Sequence, residues 1–251
     1  MSMRMLRRLL FPPKCAACGQ LLGGVQNPSP KALCPACLVK WDAQKNQLCH
    51  CCGYPVGDCE RPVSSMPRHG IDVLCKLVEY DPNQPSSTGN RVIFKLKDSD
   101  SAELQAYLAG ELVPRIQRQL IRLGQTPENT VLVWAPRSKR AEYDRGFDQS
   151  KGICMALAKE LGLPKPVQMI RRAGGRVQKQ LGQEQRRQNA YAAFEAVPGR
   201  CADLKGKCVI LVDDVVTTGA TLSACAAKLK PYKPAHIIAA CVAVDLPPQQ
   251  R

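Results

Sequence analysis

The chain has 251 residues, 45% hydrophobic and 23% charged, a balance that supports a packed core and excludes wholesale disorder. Lysine and arginine total 36 against 21 aspartate and glutamate; the net charge of +15 points to anionic partners such as nucleic acid, nucleotides or phosphorylated metabolites. No run of 18 apolar residues occurs and Leu9-Leu10-Phe11 is too short for a secretory h-region, so a chain without a membrane span, located in the cytoplasm, is expected. Aromatic residues make up only 5%, which argues against a long base-stacking platform.

The first element in chain order is a cysteine module. Eight of the 14 cysteines lie between Cys15 and Cys59. Clustered cysteines without a secretory signal indicate metal rather than disulfides. Cys15-x-x-Cys18 and Cys34-x-x-Cys37 are fifteen residues apart, a spacing that sets four thiolates around one Zn2+ ion. Gly19 suits the tight turn of the first knuckle. Cys49-x-x-Cys52-Gly53 opens a second set and Cys59 follows, but Cys59-Glu60-Arg61-Pro62 lacks the closing cysteine. The fourth ligand is His50, Cys51, Asp58 or His69, or the second site is degenerate. The ligands of the module read as cysteines, so no open catalytic position is expected in it. The module is either a docking ribbon for nucleic acid or protein, or a mini-domain that needs metal because about fifty residues build little core. Its expected bounds are 14–62. Residues 62–70, rich in Pro, Ser and Gly, read as a linker, and an α/β domain is expected over 70–247.

Val73 to Tyr80 predicts a strand, Asp81 to Pro85 a loop, and Asn90 to Lys97 a short amphipathic turn. Leu104, Leu108, Leu112, Ile116 and Leu120 recur at helical spacing and predict a helix over 102–123, with Pro114 as a potential kink. Val131 to Ala135 predicts a strand, Gln149 to Leu161 a helix stopped by Gly162 and Pro164, and Val167 to Ile170 a further strand. Residues 171–190 are polar and predict a mobile loop. Cys208-Val-Ile-Leu-Val212 has no alternation and predicts a strand buried on both faces. A helix over Ala220 to Leu229 and a buried strand over Ile237 to Val244 complete a parallel sheet covered by helices on both sides.

Asp213-Asp214-Val-Val-Thr217-Thr218-Gly219-Ala220-Thr221 follows the most apolar strand and precedes a helix. Parallel sheets bind ligands at this carboxyl edge. A helix N-terminus with a glycine and three hydroxyls favours a phosphate. Paired carboxylates favour sugar hydroxyls, with Mg2+ nearby. No lysine follows the glycine, so this is not a Walker A loop. Together these features indicate a ribose-phosphate site.

The same run resembles the phosphoribosyl-pyrophosphate (PRPP) binding motif of type I phosphoribosyltransferases, and with the cysteine ribbon the chain resembles the competence-protein ComF/GntX family from Cys15 to Val244. Arg91-Val-Ile-Phe-Lys-Leu-Lys97 resembles the family's basic segment. Arg145-Gly-Phe-Asp-Gln149 resembles its Arg-Gly-Phe-Asn-Gln motif, with Asp for Asn. Gln178, Leu181, Arg186, Asn189 and Phe194 fall at the spacing of a further signature. The resemblance implies that Asp213 and Asp214 hold the ribose hydroxyls of PRPP and that Thr217, Thr218, Gly219, Ala220 and Thr221 hold its 5′-phosphate. It places Arg137, Lys139 and Arg140 near the pyrophosphate, as the catalytic cations, and residues 171–187 as a hood. That hood carries six cations (Arg171, Arg172, Arg176, Lys179, Arg186 and Arg187) against Glu184 alone, which suits a polyphosphate or a nucleic-acid backbone.

Thr217 stands where relatives acting on 6-oxopurines place an aspartate, so guanine or hypoxanthine salvage is not expected. His69 and His236 are the nearest candidates for a base. Three readings follow. The first is a transferase displacing pyrophosphate at C1 of the ribose with Mg2+. The second is a PRPP or nucleotide sensor without turnover. The third is a single-stranded-DNA factor acting in DNA uptake with competence-machinery proteins.

Overall fold

A computed structural model of the chain describes residues 12–22, 32–49, 51–63, 65–137, 143, 146–172 and 191–245. The ribbon contributes helix α1 (Pro35–Lys45), which starts directly after Cys34 with proline in its first turn, where the missing N–H goes unused. Then follow β1 (Ile71–Cys75), β2 (Val78–Tyr80), α2 (Thr88–Asp98), α3 (Ala102–Arg122), β3 (Thr130–Trp134) and α4 (Gln149–Leu161). The chain continues through β4 (Ile170–Arg172), β5 (Phe194–Ala196), α5 (Pro198–Cys201), β6 (Cys208–Val212), β7 (Val215–Val216), α6 (Ala220–Leu229), β8 (His236–Ala240) and β9 (Ala243–Asp245).

The main sheet is parallel, in the order β1-β8-β6-β3. Its strands bury both faces, and successive residues alternate between two cores. Cys208, Ile210 and Val212 of β6 face the core made with α2, α3 and α4, while Val209 and Leu211 face the core made with α6. This is the expected α/β architecture of parallel sheet with helices on both faces, preceded by a cysteine-rich ribbon.

A second parallel sheet, β2-β9-β7, continues three of the main strands. The single strands expected over 73–80 and 237–244 are each divided in two, at Lys76-Leu77 and at Cys241-Val242. β6 and β7 are likewise divided by Asp213-Asp214. The three breaks lie side by side: Asp213 N donates to Ala240 O at 2.9 Å, Val242 N to Asp214 O at 3.0 Å and Leu77 N to Val242 O at 3.2 Å. The acidic pair therefore sits in a step that crosses three of the four strands of the sheet.

Two further expectations are corrected. Residues 90–97 are not a short turn but belong to an 11-residue helix, capped by Ser87, which accepts from Asn90 N at 3.2 Å. The stretch read as a linker is packed: Met66 is fully buried in the α6 core, and Ser65 Oγ lies 3.1 Å from Ser223 Oγ on α6. The 171–190 loop lies outside the described residues from 173 to 190. No helix among the described residues is long and apolar enough to cross a membrane.

The ribbon lies along α3. Arg118 pairs with Asp58 at 3.1 Å, Arg122 with Glu60 at 2.9 Å, Lys45 with Glu111, and Arg115 donates to the Gly57 carbonyl. Trp41 on α1 is fully buried and joins Cys15, Cys34 and Cys37 to the core under α2 and α3. α4 packs closely on α3 because Gly152 lacks a side chain; a Cβ there would come within 2.4 Å of Gln105 Nε2.

Candidate functional site

The loop after β6 builds the site. Five apolar residues bring the chain to the carboxyl edge of the sheet, where Asp213 and Asp214 emerge. Asp213 Oδ1 accepts from Ser150 Oγ and from Asp214 N, both at 2.9 Å. Burial, and then the adjacent Asp214 charge, push the Asp213 carboxyl well above the usual carboxylate range. Asp214 is buried; its Oδ1 accepts from Val215 N at 2.8 Å and its Oδ2 meets Arg137 Nη2 at 2.6 Å. The acidic pair thus carries one carboxylate already matched by a cation and a second biased toward its neutral form.

Val215, Val216, Thr217, Thr218, Gly219, Ala220 and Thr221 line, with Asp213 and Leu222, a shallow depression open to solvent. Gly219 caps α6 at φ 74°, a left-handed conformation that favours glycine. A Cβ at this position would lie 3.1 Å from Met66 Cε and 3.4 Å from Val63 O. The threonines 217, 218 and 221 are exposed, and Thr218 Oγ1 accepts from Ala220 N at 3.4 Å. The turn therefore offers hydroxyls and a helix N-terminus to an anion.

Of the three predicted cations, Arg137 is described and engages Asp214, whereas Lys139 and Arg140 lie outside the described residues. Of the residues 171–187 expected as a hood, 171 and 172 are described and lie in β4: Arg171 pairs with Glu195 at 2.8 Å and Arg172 stacks over Phe194 at 5.2 Å. The two histidines considered as bases are placed differently. His236 opens β8 opposite Cys208, at the amino edge of the sheet and so away from the acidic pair. His69 hydrogen-bonds Tyr191, and burial together with the Lys230 and Arg68 charges holds its imidazole below the usual value.

Sequence reading assigned no contact to Asp148, Gln149 and Ser150, yet all three brace this edge. Asp148 caps α4, accepting from Lys151 N at 3.2 Å, and also accepts from Arg137 N at 3.3 Å. Gln149 donates to Lys97 O at the end of α2 at 3.0 Å, and Ser150 holds Asp213. The Arg-Gly-Phe-Asp-Gln match carried a signal for the first two residues; Ser150, one position beyond, carried none.

In the ribbon, the sulfurs of Cys15, Cys18, Cys34 and Cys37 lie within 4.8 Å of one another, and Cys18 Sγ is 3.7 Å from Cys34 Sγ. Tetrahedral zinc with Zn–S bonds of about 2.3 Å sets its sulfurs about 3.8 Å apart, so the four residues fit the ion. Cys49, Cys52 and Cys59 form a second group on the same criterion. Of the fourth ligands considered, Asp58 is paired with Arg118 and His69 with Tyr191, Cys51 is not gathered into the group, and His50 lies outside the described residues.

A phosphoribosyl transferase domain behind a double zinc ribbon is the class that this fold and these clusters define. Residues 150–250 match the phosphoribosyl transferase domain family, and residues 6–75 match the double zinc ribbon domain family. The chain is 30% identical over 196 residues to the DNA utilization protein YhgH of Salmonella typhi, covering 76% of this chain and 81% of that protein. It is 30% identical over 197 residues to the protein of the same name in Salmonella typhimurium, with the same coverage. To that of Escherichia coli O157:H7 it is 29% identical over 195 residues, 77% of this chain and 75% of that one. The chain belongs to the family of these DNA utilization proteins.

Proposed function

We propose that this chain is a ComF-type, cytoplasmic PRPP-binding protein of the phosphoribosyltransferase family. The observation that carries the reading is the site at the carboxyl edge of the sheet, where Asp213, already accepting from the Ser150 hydroxyl, and a threonine-glycine helix N-terminus line one depression. In this reading Asp213 and Asp214 accept the ribose hydroxyls. Thr217, Thr218, Gly219, Ala220 and Thr221 receive the 5′-phosphate. Arg137, Lys139 and Arg140 face the pyrophosphate, which Mg2+ accompanies. Arg137 then has two partners to choose between, Asp214 in the free protein and the pyrophosphate in the complex. The ribbon, 14–62, and the phosphoribosyltransferase-like unit, 70–247, form the two parts of the chain.

Calorimetric titration of the zinc-loaded protein with PRPP and Mg2+ tests the reading. Micromolar binding by the native chain and none by Asp213→Asn/Asp214→Asn supports it; no binding by either overturns it. If turnover follows, it displaces pyrophosphate at C1, and the protein contributes positioning and charge.

A second reading, compatible with the first, is a single-stranded-DNA factor in DNA uptake that works with competence-machinery proteins. The +15 charge and the name of the YhgH relatives favour it. Part of that charge is used internally, since Arg115, Arg118 and Arg122 hold the ribbon. Binding to an oligonucleotide that weakens steeply with salt supports this reading.

A further inference from the structure

The second cysteine group differs from the first in composition and in its neighbours. It offers three sulfurs, from Cys49, Cys52 and Cys59, because Pro62 stands where the repeat would close with a fourth cysteine. Cys49 and Cys59 are buried and Cys52 is exposed, so one side of the group meets solvent. On the buried side stands Lys76, 4% exposed, in the break between β1 and β2, with Nζ 3.0 Å from Cys59 Sγ. A lysine this deep requires a counter-charge.

The charges balance only for a particular metal state. Zinc with four thiolates carries −2, and zinc with three carries −1. The ammonium of Lys76 brings the three-thiolate site to zero and donates a hydrogen bond to one of its sulfurs, a second-layer contact that metal sites commonly use. A neutral fourth donor preserves that balance, whereas a further thiolate would not.

We propose that Cys49, Cys52 and Cys59 hold zinc as a three-thiolate site, neutralised by Lys76, whose fourth coordination position on the solvent side takes an exogenous neutral donor of the imidazole type. Unlike the four-cysteine site, it is an open position. It binds water or a histidine side chain supplied by a partner.

The test uses the full chain. Zinc analysis of the native protein is expected to give two ions per chain, and X-ray absorption about 3.5 sulfur donors per zinc as the average of a four-sulfur and a three-sulfur site. After Co2+ replacement, added imidazole shifts part of the visible d–d absorption saturably, and His50→Ala leaves the starting spectrum unchanged. Lys76→Met loses the second ion to a chelator at about 10- to 100-fold lower concentration, and Lys76→Arg restores retention. One zinc per chain, four sulfurs per zinc, a spectrum indifferent to imidazole, or a starting spectrum altered by His50→Ala would each overturn the proposal. These readouts do not involve PRPP, so they stand or fall apart from the ligand site.

Discussion

The Arg137–Asp214 contact makes the sharpest energetic prediction. Both side chains are largely buried, 18% and 10% exposed, with Nη2 and Oδ2 2.6 Å apart. At an effective dielectric constant near 20, two unit charges about 4 Å apart attract by about 4 kcal/mol, and desolvation offsets part of this. Removing one partner leaves the other charge in a poorly hydrated setting, so Arg137→Met is expected to lower stability by about 3 kcal/mol and Asp214→Asn by about 2 kcal/mol. The double variant strands no charge and should lose only about 2–3 kcal/mol, leaving a coupling energy of about 2–3 kcal/mol. For a chain of this size, Arg137→Met lowers the melting temperature by about 6–12 °C. The assay is urea unfolding of all four proteins at saturating zinc, followed by tryptophan fluorescence, since Trp41 and Trp134 both lie in the core. Additive losses, with coupling under about 0.5 kcal/mol, would mean that the pair is not formed in the free protein.

Gly219→Ala forces a side chain into φ 74° against Met66; it is expected to cost about 1–2 kcal/mol, lowering the melting temperature by about 2–8 °C, and an unchanged melting curve would refute the packing described. For Asp213 the sign follows from its raised pKa. Between the ordinary value of 3.8 and the higher value in the fold, the native state binds more protons than the unfolded chain, so this group's contribution declines as pH rises through that window. Asp213→Asn, which keeps the acceptor for Ser150 and Asp214 N, should therefore flatten that slope and gain about 1 kcal/mol at neutral pH while losing PRPP binding; a slope like that of the native protein, by urea unfolding at several pH values, would count against it. Zinc removal by a chelator is expected to lower a single unfolding transition seen by both fluorescence and far-ultraviolet dichroism, because Cys15, Cys34 and Cys37 share their core with Trp41 and Val92. A separate low-temperature ribbon transition would show that this shared core is not cooperative.

The parts of the fold legible in the sequence are those set by local signals. β6 and α6 begin and end where expected because five apolar residues without alternation lead into a glycine that only a turn explains. α4 is equally well bounded, by Asp148 as its cap and Gly162 at φ 66° after it. The divided strands were not legible, since their breaks come from three neighbouring strands stepping together, a property of the sheet and not of any one segment. α2 was hidden by Gly89 and Asn90 near its start, residues that favour turns. Asn90 instead donates to Asp81 O and Gln84 O, closing the preceding loop onto the helix. Arg137 was legible as a cation near the site but not as the partner of Asp214, because 77 residues separate them.

The packed stretch between ribbon and sheet changes how the two parts relate. Cys59 belongs to the second sulfur group, and the next residue, Glu60, accepts from Leu74 N of β1 at 3.0 Å and pairs with Arg122. Three residues further, Val63 O approaches Gly219, and Ser65 and Met66 seat against α6. His69 then meets Tyr191, just before β5. Ten residues on from a metal-ligand candidate, past the turn proposed for the phosphate, the chain thus reaches the segment that leads into β5. A freely mobile 63–69 would leave Gly219 without the wall that Met66 supplies, and ordering that many residues costs about 1–2 kcal/mol each in backbone entropy. Closing the ribbon around metal fixes one end of the segment in advance and reduces that cost. The ribbon therefore helps to fix the wall behind Gly219, which is reason enough for the two units to share one chain and one core.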